Sequence, residues 1–306
     1  MALRFGLVGT GPWARDTHGA GLRAGAGGTL AGVWGRAPER AAAVAGALDV
    51  PAYESYDALL ADVDAVVFSV PPTVQPDLAV RAARAGRHLL LEKPIAVDPA
   101  QAAQVREAVR ASGVASLVFF TSRFRPEQRE WIDAAARTGG WHTASAVWLA
   151  ALYDPAGPFA SGDWRQTEGA LWDIGPHALS VLAPLLGPVE RVTALAGRGD
   201  TVHLTTQHAN GATGTAALSL TVPPAARQVL ATAYGDSGVH SMPQGFTPAS
   251  VASAAAIDTL AALVTDGRRD HPCDVDFGYE VVRVLDAARR SLAQKRAVEV
   301  AGVDKP

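Results

Sequence analysis

Residues 3–14 read Leu-Arg-Phe-Gly-Leu-Val-Gly-Thr-Gly-Pro-Trp-Ala. The mostly apolar run 3–8 stops at a G-x-G-x-x-A turn made by Gly9, Gly11 and Ala14. That order predicts a strand, a tight turn and a helix. Gly9 permits the turn, Gly11 lets the backbone approach a pyrophosphate, and Ala14 lets the helix pack close to the strand. Unpaired N–H groups and the dipole at the helix start favour phosphate there. Gly9, Gly11, Pro12 and Trp13 are therefore the first candidate dinucleotide contacts. The other reading is a tight turn with no ligand. The position directly after a strand, with an alternating pattern to follow, favours the dinucleotide.

Working outward, the first 121 residues alternate. Strand-like runs fall at 3–8, 30–34, 65–70, 88–91 and 115–121, with helical stretches at 12–24, 38–48, 76–85 and 99–112. Several helices open on proline, whose missing N–H costs nothing in a first turn. The strands are continuous apolar runs, as expected for a parallel sheet covered on both faces. The pattern then changes. Strand-like segments at 144–152, 189–195, 201–208, 213–220 and 228–234 follow with few helices between them, and Asn210-Gly211 marks a hairpin. Helices are expected at 127–137, 169–186, 251–265 and 279–294. The fold class is α/β: a doubly wound parallel sheet in residues 1–121, then an α+β domain with a large, open, mostly antiparallel sheet in 122–306.

The chain has 306 residues, 48% apolar and 19% charged, the composition of a soluble globular protein of about two domains. A formal net charge of −3 with no basic cluster argues against nucleic acid as a partner. No apolar run approaches the roughly 18–20 residues of a spanning helix, and the strand at the start leaves no room for a signal peptide. A cytoplasmic location without membrane association is the expectation. Cys273 is the single cysteine, so no disulfide framework is expected, and no cluster has metal-ligand spacing. The chain has neither a serine nucleophile elbow nor a G-x-x-x-x-G-K phosphate loop.

Three places can carry chemistry. At the end of the second strand an NAD site usually has an acid for the ribose 2′-OH. Here Gly35 and Arg36 stand instead, with Arg40 nearby, which leaves room and charge for a 2′-phosphate. The cofactor expected is NADP, with NAD possible; a solvated surface arginine is the alternative reading. The second place is Glu92-Lys93-Pro94 at the carboxyl end of the fourth strand, the edge where open α/β sheets bind ligands. An ammonium there can stabilise a substrate oxygen. Only Lys93, Lys295 and Lys305 are lysines, so a lysine at this edge is less readily a random surface charge. The third place is Asp173-Ile174-Gly175-Pro176-His177. A carboxylate beside an imidazole is a common general-base pair. Pro176 breaks or delays the helix that would put both on one face. His18, His203 and His208 read as satisfied structural groups.

Taken in order, Gly9-Thr10-Gly11, Glu92-Lys93-Pro94 and Asp173-Ile174-Gly175-Pro176-His177 resemble the Gfo/Idh/MocA oxidoreductases, the glucose–fructose oxidoreductase and inositol dehydrogenase group. The resemblance covers nearly the whole chain. Ser69-Val70-Pro71-Pro72 matches the loop after the third strand, Arg123-Phe124 with Pro126 the domain junction, and Trp164-Arg165 a pair that often precedes the second motif. It implies a Rossmann domain, a nicotinamide cofactor and a sugar, polyol or related substrate. It implies that Lys93, Asp173 and His177 line the reacting centre, with Ser69, Pro71, Pro72, Glu92, Lys93, Trp164 and Arg165 among the cofactor contacts. Gln75 departs from the pattern, standing where many members have histidine.

The expected function is hydride transfer between the nicotinamide and a hydroxyl or carbonyl carbon of a sugar-like small molecule. His177 moves the hydroxyl proton, Asp173 orients it, and Lys93 binds the oxygen. Tyr153, Trp164, Lys93 and His177 are the candidate substrate contacts. Trp148 could stack on a ring or sit in the core. The alternatives are a non-catalytic NAD(P)-binding regulator and NAD-cycling glycosidase-type chemistry. A homodimer or homotetramer through the open sheet of the second domain is expected.

Overall fold

Five short apolar runs form one parallel sheet: β1 (Leu3–Val8), β2 (Gly28–Trp34), β3 (Ala65–Phe68), β4 (His88–Leu91) and β5 (Ser116–Val118), in the order β2-β1-β3-β4-β5. Leu89, Leu90 and Leu91 of β4 and all of β3 are buried, because the intervening helices cover both faces. Those helices are α1 (Ala20–Ala24), α2 (Pro38–Leu48), α3 (Tyr56–Asp62), α4 (Gln75–Arg84), α5 (Pro99–Ser112) and the short α6 (Thr121–Phe124). The computed structural model describes residues 2–152, 163–245 and 247–300, the side chain of Asp163 excepted. The strand order reverses between β1 and β3, the switch point at which such sheets bind ligands.

The expected helix 12–24 forms with a difference. Ala14–Gly19 is a π-helical turn that leads into α1. The seven-residue α3, capped by Ser55 Oγ accepting from the Ala58 N–H at 3.1 Å, had no sequence expectation.

A second sheet has the order β11-β10-β6-β9-β8-β7-β12. Its strands are β6 (Trp141–Leu149), β7 (Val189–Ala196), β8 (Val202–His208), β9 (Thr213–Ser219), β10 (Gln228–Gly235), β11 (Gly238–Ser241) and β12 (Val298–Glu299). Every pairing is antiparallel except β6 with β9. The Asn210-Gly211 turn joins β8 to β9 as expected. Along β8 burial alternates strictly: Val202, Leu204, Thr206 and His208 are inside and His203, Thr205 and Gln207 outside. With this sheet go α7 (Pro126–Thr138), α8 (Asp163–Asp173) and α9 (Gly175–Leu186), the last packed on β6 and β9. The single helix expected over 169–186 is thus two, divided at Ile174.

Two further helices, α10 (Ala249–Thr265) and α11 (Val275–Gln294), precede β12. Contacts divide the protein into residues 1–125 with 247–279 and residues 126–246 with 280–306. The single boundary expected at 121/122 omits the return of α10 to the first unit. There Asp258 Oδ1 accepts from the Gly27 N–H at 2.7 Å. No helix among the described residues is long and apolar enough to cross a membrane.

Candidate active site

Gly9 has φ +141°, and a Cβ there would stand 2.2 Å from the Ser69 carbonyl oxygen. Only glycine lets the turn after β1 close on the end of β3. Gly11 is exposed, and a Cβ on it would meet nothing within 4 Å. Open space above a glycine turn at the switch point fits a dinucleotide phosphate. In the loop after β3, the Ser69 N–H donates to Val8 O at 2.8 Å. Pro71 O accepts from Val74 N and Gln75 N at 2.9 and 3.0 Å, and Pro72 is buried.

At the β4 edge the structure is tightly tied. Gln75, fully buried, donates from Nε2 to Glu92 O at 2.8 Å, and its Oε1 accepts from the Glu92 N–H at 2.8 Å. Glu92 is 8% exposed. Its Oε1 accepts from Trp13 Nε1 at 2.5 Å and lies 2.8 Å from His18 Nε2; Oε2 accepts from the Lys93 N–H at 3.1 Å. Glu92, expected among the cofactor contacts, thus has its carboxylate engaged by the protein itself. Lys93 is half-buried and joined to Pro94 by a cis peptide. His18 is completely buried, and its Nδ1 is 2.9 Å from Ser253 Oγ. The sequence carries no local signal of the tie between His18 and Glu92.

At the end of β2, Gly35 also has a packing reason to be glycine. A Cβ there would meet the Thr10 methyl at 2.3 Å, so the residue lets β2 pass the glycine turn. Arg36 and Arg40 are exposed. Arg36 makes no hydrogen bond or ion pair among the described residues, and its guanidinium can meet an anion.

In the second unit, α8 contains Gly169 at φ +66° and ψ −167°, a conformation open to glycine alone. Asp173 ends α8, and His177 lies in the first turn of α9 beyond Pro176. The pair is therefore not on one continuous helix. Asp173, 5% exposed, accepts from Arg165 Nε at 3.0 Å. The Arg165 guanidinium also lies 4.6 Å from the Trp164 ring centroid. Arg165, expected at the cofactor, is here the cation of Asp173. The His177 ring is parallel to buried Trp148, with centroids 6.2 Å apart and planes at 9°. Trp148 thus combines the core position weighed for it with a contact to a candidate base. Tyr153 lies outside the described residues. No group of three His, Cys, Asp or Glu among the described residues could hold a metal ion.

The "Oxidoreductase family, NAD-binding Rossmann fold" model of GFO/IDH/MocA matches residues 3–120, and the "GFO/IDH/MocA C-terminal domain" model matches residues 102–240. The chain belongs to the GFO/IDH/MocA oxidoreductase family. A curated relative, the dTDP-3,4-didehydro-2,6-dideoxy-alpha-D-glucose 3-reductase of Streptomyces violaceoruber, is 34% identical over 55% of this chain and 49% of its own. The D-xylose 1-dehydrogenase (NADP(+)) 2 of Haloferax volcanii is 32% identical over 54% of this chain and 51% of its own. The chain thus spans about half the length of these curated relatives. The crystal structure of a putative myo-inositol dehydrogenase from Sinorhizobium meliloti 1021 shares the fold. It has a TM-score of 0.86 and 24% identity, over 98% of this chain and 100% of that one.

Proposed function

We propose that this family member is an NADP-preferring dehydrogenase or reductase of a sugar, polyol or related small molecule. The observation that carries the reading is Lys93 at the carboxyl edge of β4, on a segment held by Gln75 and Glu92. A bound nicotinamide would supply the hydride acceptor or donor. Gly9, Gly11, Pro12, Trp13 and the Ser69–Pro72 loop would hold it, and Arg36 would meet the 2′-phosphate. The Lys93 ammonium donates a hydrogen bond to the substrate oxygen and stabilises negative charge there. A His177 ring nitrogen takes the hydroxyl proton in oxidation and returns it in reduction. Assigning Lys93 and His177 to one oxygen rests on the family resemblance. Asp173, held by Arg165, is the carboxylate assigned to orient His177, and the Trp148 ring lies parallel to the imidazole.

The names of the two curated relatives support a sugar as substrate, and one supports NADP. The first unit is the cofactor domain in this reading; the second binds substrate and carries the oligomer contact. A panel of sugars and polyols, including D-xylose and myo-inositol, tested with NADP+ and NAD+ at 340 nm, examines the proposal. Turnover with one of them, abolished in Lys93→Met while NADPH still binds, is the expected result. Full activity in Lys93→Met overturns the role of Lys93.

A further inference from the structure

Trp13 and His18 are five residues apart, yet both reach Glu92 Oε1. On an α-helix, side chains five apart point about 140° away from each other. A π-helical turn repeats from i to i+5, so the two fall on one face. The turn at Ala14–Gly19 is thus the local distortion that lets one carboxylate oxygen take both partners. On one side the cluster runs inward. From Glu92 it passes through His18 to Ser253, which is completely buried in α10. The cluster braces the segment that carries Lys93.

A brace of this kind is costly. Burying a carboxylate is offset only when its lone pairs are well satisfied, and an apolar residue of similar size commonly serves stability as well. Here Oε1 has the indole N–H and His18, and Oε2 has the backbone N–H of Lys93. Gln75 holds the two main-chain groups of Glu92 itself. The residue next in the chain is Lys93.

We propose that Trp13 is a positioning residue for Lys93, acting through Glu92, and that the π-helical turn places its indole for this purpose. The inference rests on the assignment of Lys93 to the substrate oxygen. It gives Trp13 a task besides contact with a dinucleotide: the indole N–H fixes the carboxylate from which the Lys93 main chain hangs.

The test uses benzothienylalanine at position 13, which keeps the shape of the indole and replaces N–H by sulfur, with Trp13→Phe as a second variant. Two readouts are taken on each full-length protein. The first is competitive acetylation by acetic anhydride, with Lys93 and exposed Lys295 quantified in separate peptides by mass spectrometry; the chain has only three lysines. The second is kcat and KM for the best substrate of the panel, with NADPH binding followed separately. The expected result is a several-fold rise in Lys93 labelling relative to Lys295 and a kcat lower by about tenfold, the scale of one hydrogen bond to a charged group. KM stays unchanged, and the isosteric variant, which keeps the ring that contacts the dinucleotide, keeps NADPH binding. An unchanged labelling ratio, or a changed ratio with unchanged kcat, overturns the proposal. So does a loss confined to NADPH binding, which would make Trp13 a cofactor contact only. If Trp13→Phe does not fold, the isosteric variant alone decides. Activity surviving in Lys93→Met would instead sink the assignment of Lys93, and the labelling ratio would still report whether Trp13 braces it.

Discussion

Gln75 and Glu92 form a reciprocal pair: the amide of one donates to and accepts from the two main-chain groups of the other, both at 2.8 Å. Nε2 also lies 3.4 Å from Pro94 O and 3.3 Å from Ile95 O. The glutamine that departs from the family pattern is therefore the clasp of the segment that carries Lys93. In Gln75→Leu two buried main-chain groups lose their partner, at about 1–3 kcal/mol each. Tm should fall by roughly 5–10 °C. A melt within a degree or so of wild type would show that water or a rearranged loop replaces the clasp.

Cofactor choice should depend on Arg36. A charge-assisted contact to a 2′-phosphate is worth about 1.5–3 kcal/mol, or roughly ten- to hundredfold in affinity. NADPH should bind more tightly than NADH by that factor. Arg36→Ala should remove most of the difference and leave NADH binding nearly unchanged. Equal fluorescence titrations for the two cofactors in the wild type would refute this.

The Arg165–Asp173 pair is mostly buried, with side chains 23% and 7% exposed. Arg165→Met leaves a buried carboxylate without this cation and should cost about 1–3 kcal/mol, less than a fully buried pair because Arg165 is partly solvated. Asp173→Asn should weaken the effect of the arginine change. Urea unfolding of both single variants and the double variant measures the coupling, and strict additivity would contradict it.

Two histidines tie stability to pH. Burial holds the His208 imidazole below its usual titration range, and burial with the Arg269 charge does the same for His88. His208 Nδ1 donates to Gly187 O at 2.7 Å, and His88 Nδ1 accepts from the Ala115 N–H at 3.0 Å. The unfolded chain takes up these protons near pH 6.5, whereas the folded chain resists them until lower pH. Their contribution is therefore complete above pH 6.5 and is lost as pH falls through the folded values. Melting at pH 7.5 and 5.5 should show the decline, and it should be shallower in His208→Gln.

Association is expected through the outer face of the second sheet, where Leu195 is 70% exposed and stands opposite exposed His203. Sedimentation should find a dimer or tetramer, and Leu195→Asp should shift it towards smaller species. A monomer at every concentration would contradict the proposal.

The parallel sheet was readable because β1, β3 and β4 are apolar runs separated by helix-length segments, and because the glycine turn comes at the first of them. What escaped were features with no local signature. The helix at 56–62 is only seven residues long, and β11 and β12 are short. The parallel pairing of β6 with β9 is set by register between segments about seventy residues apart. At the candidate site, the residue types at Gly9, Lys93, Asp173 and His177 were legible. Their supports were not. Nothing in a helical repeat pairs position 13 with 18, and the Arg165 partner of Asp173 depends on a kink at Gly169. Pro176 did signal the break that separates Asp173 from His177.

The partnership of His18 with Ser253 bears on how the chain is made. These residues are 235 positions apart, and Asp258 reaches Gly27 across a similar distance. During synthesis the five strands of the first sheet leave the ribosome long before α10 does. Until then the buried imidazole and the Gly27 amide wait for partners that do not yet exist. A fragment ending at residue 125 should therefore be a poorly closed unit, although it holds every strand of that sheet. The nascent first unit must stay soluble while β6 to β11 are translated.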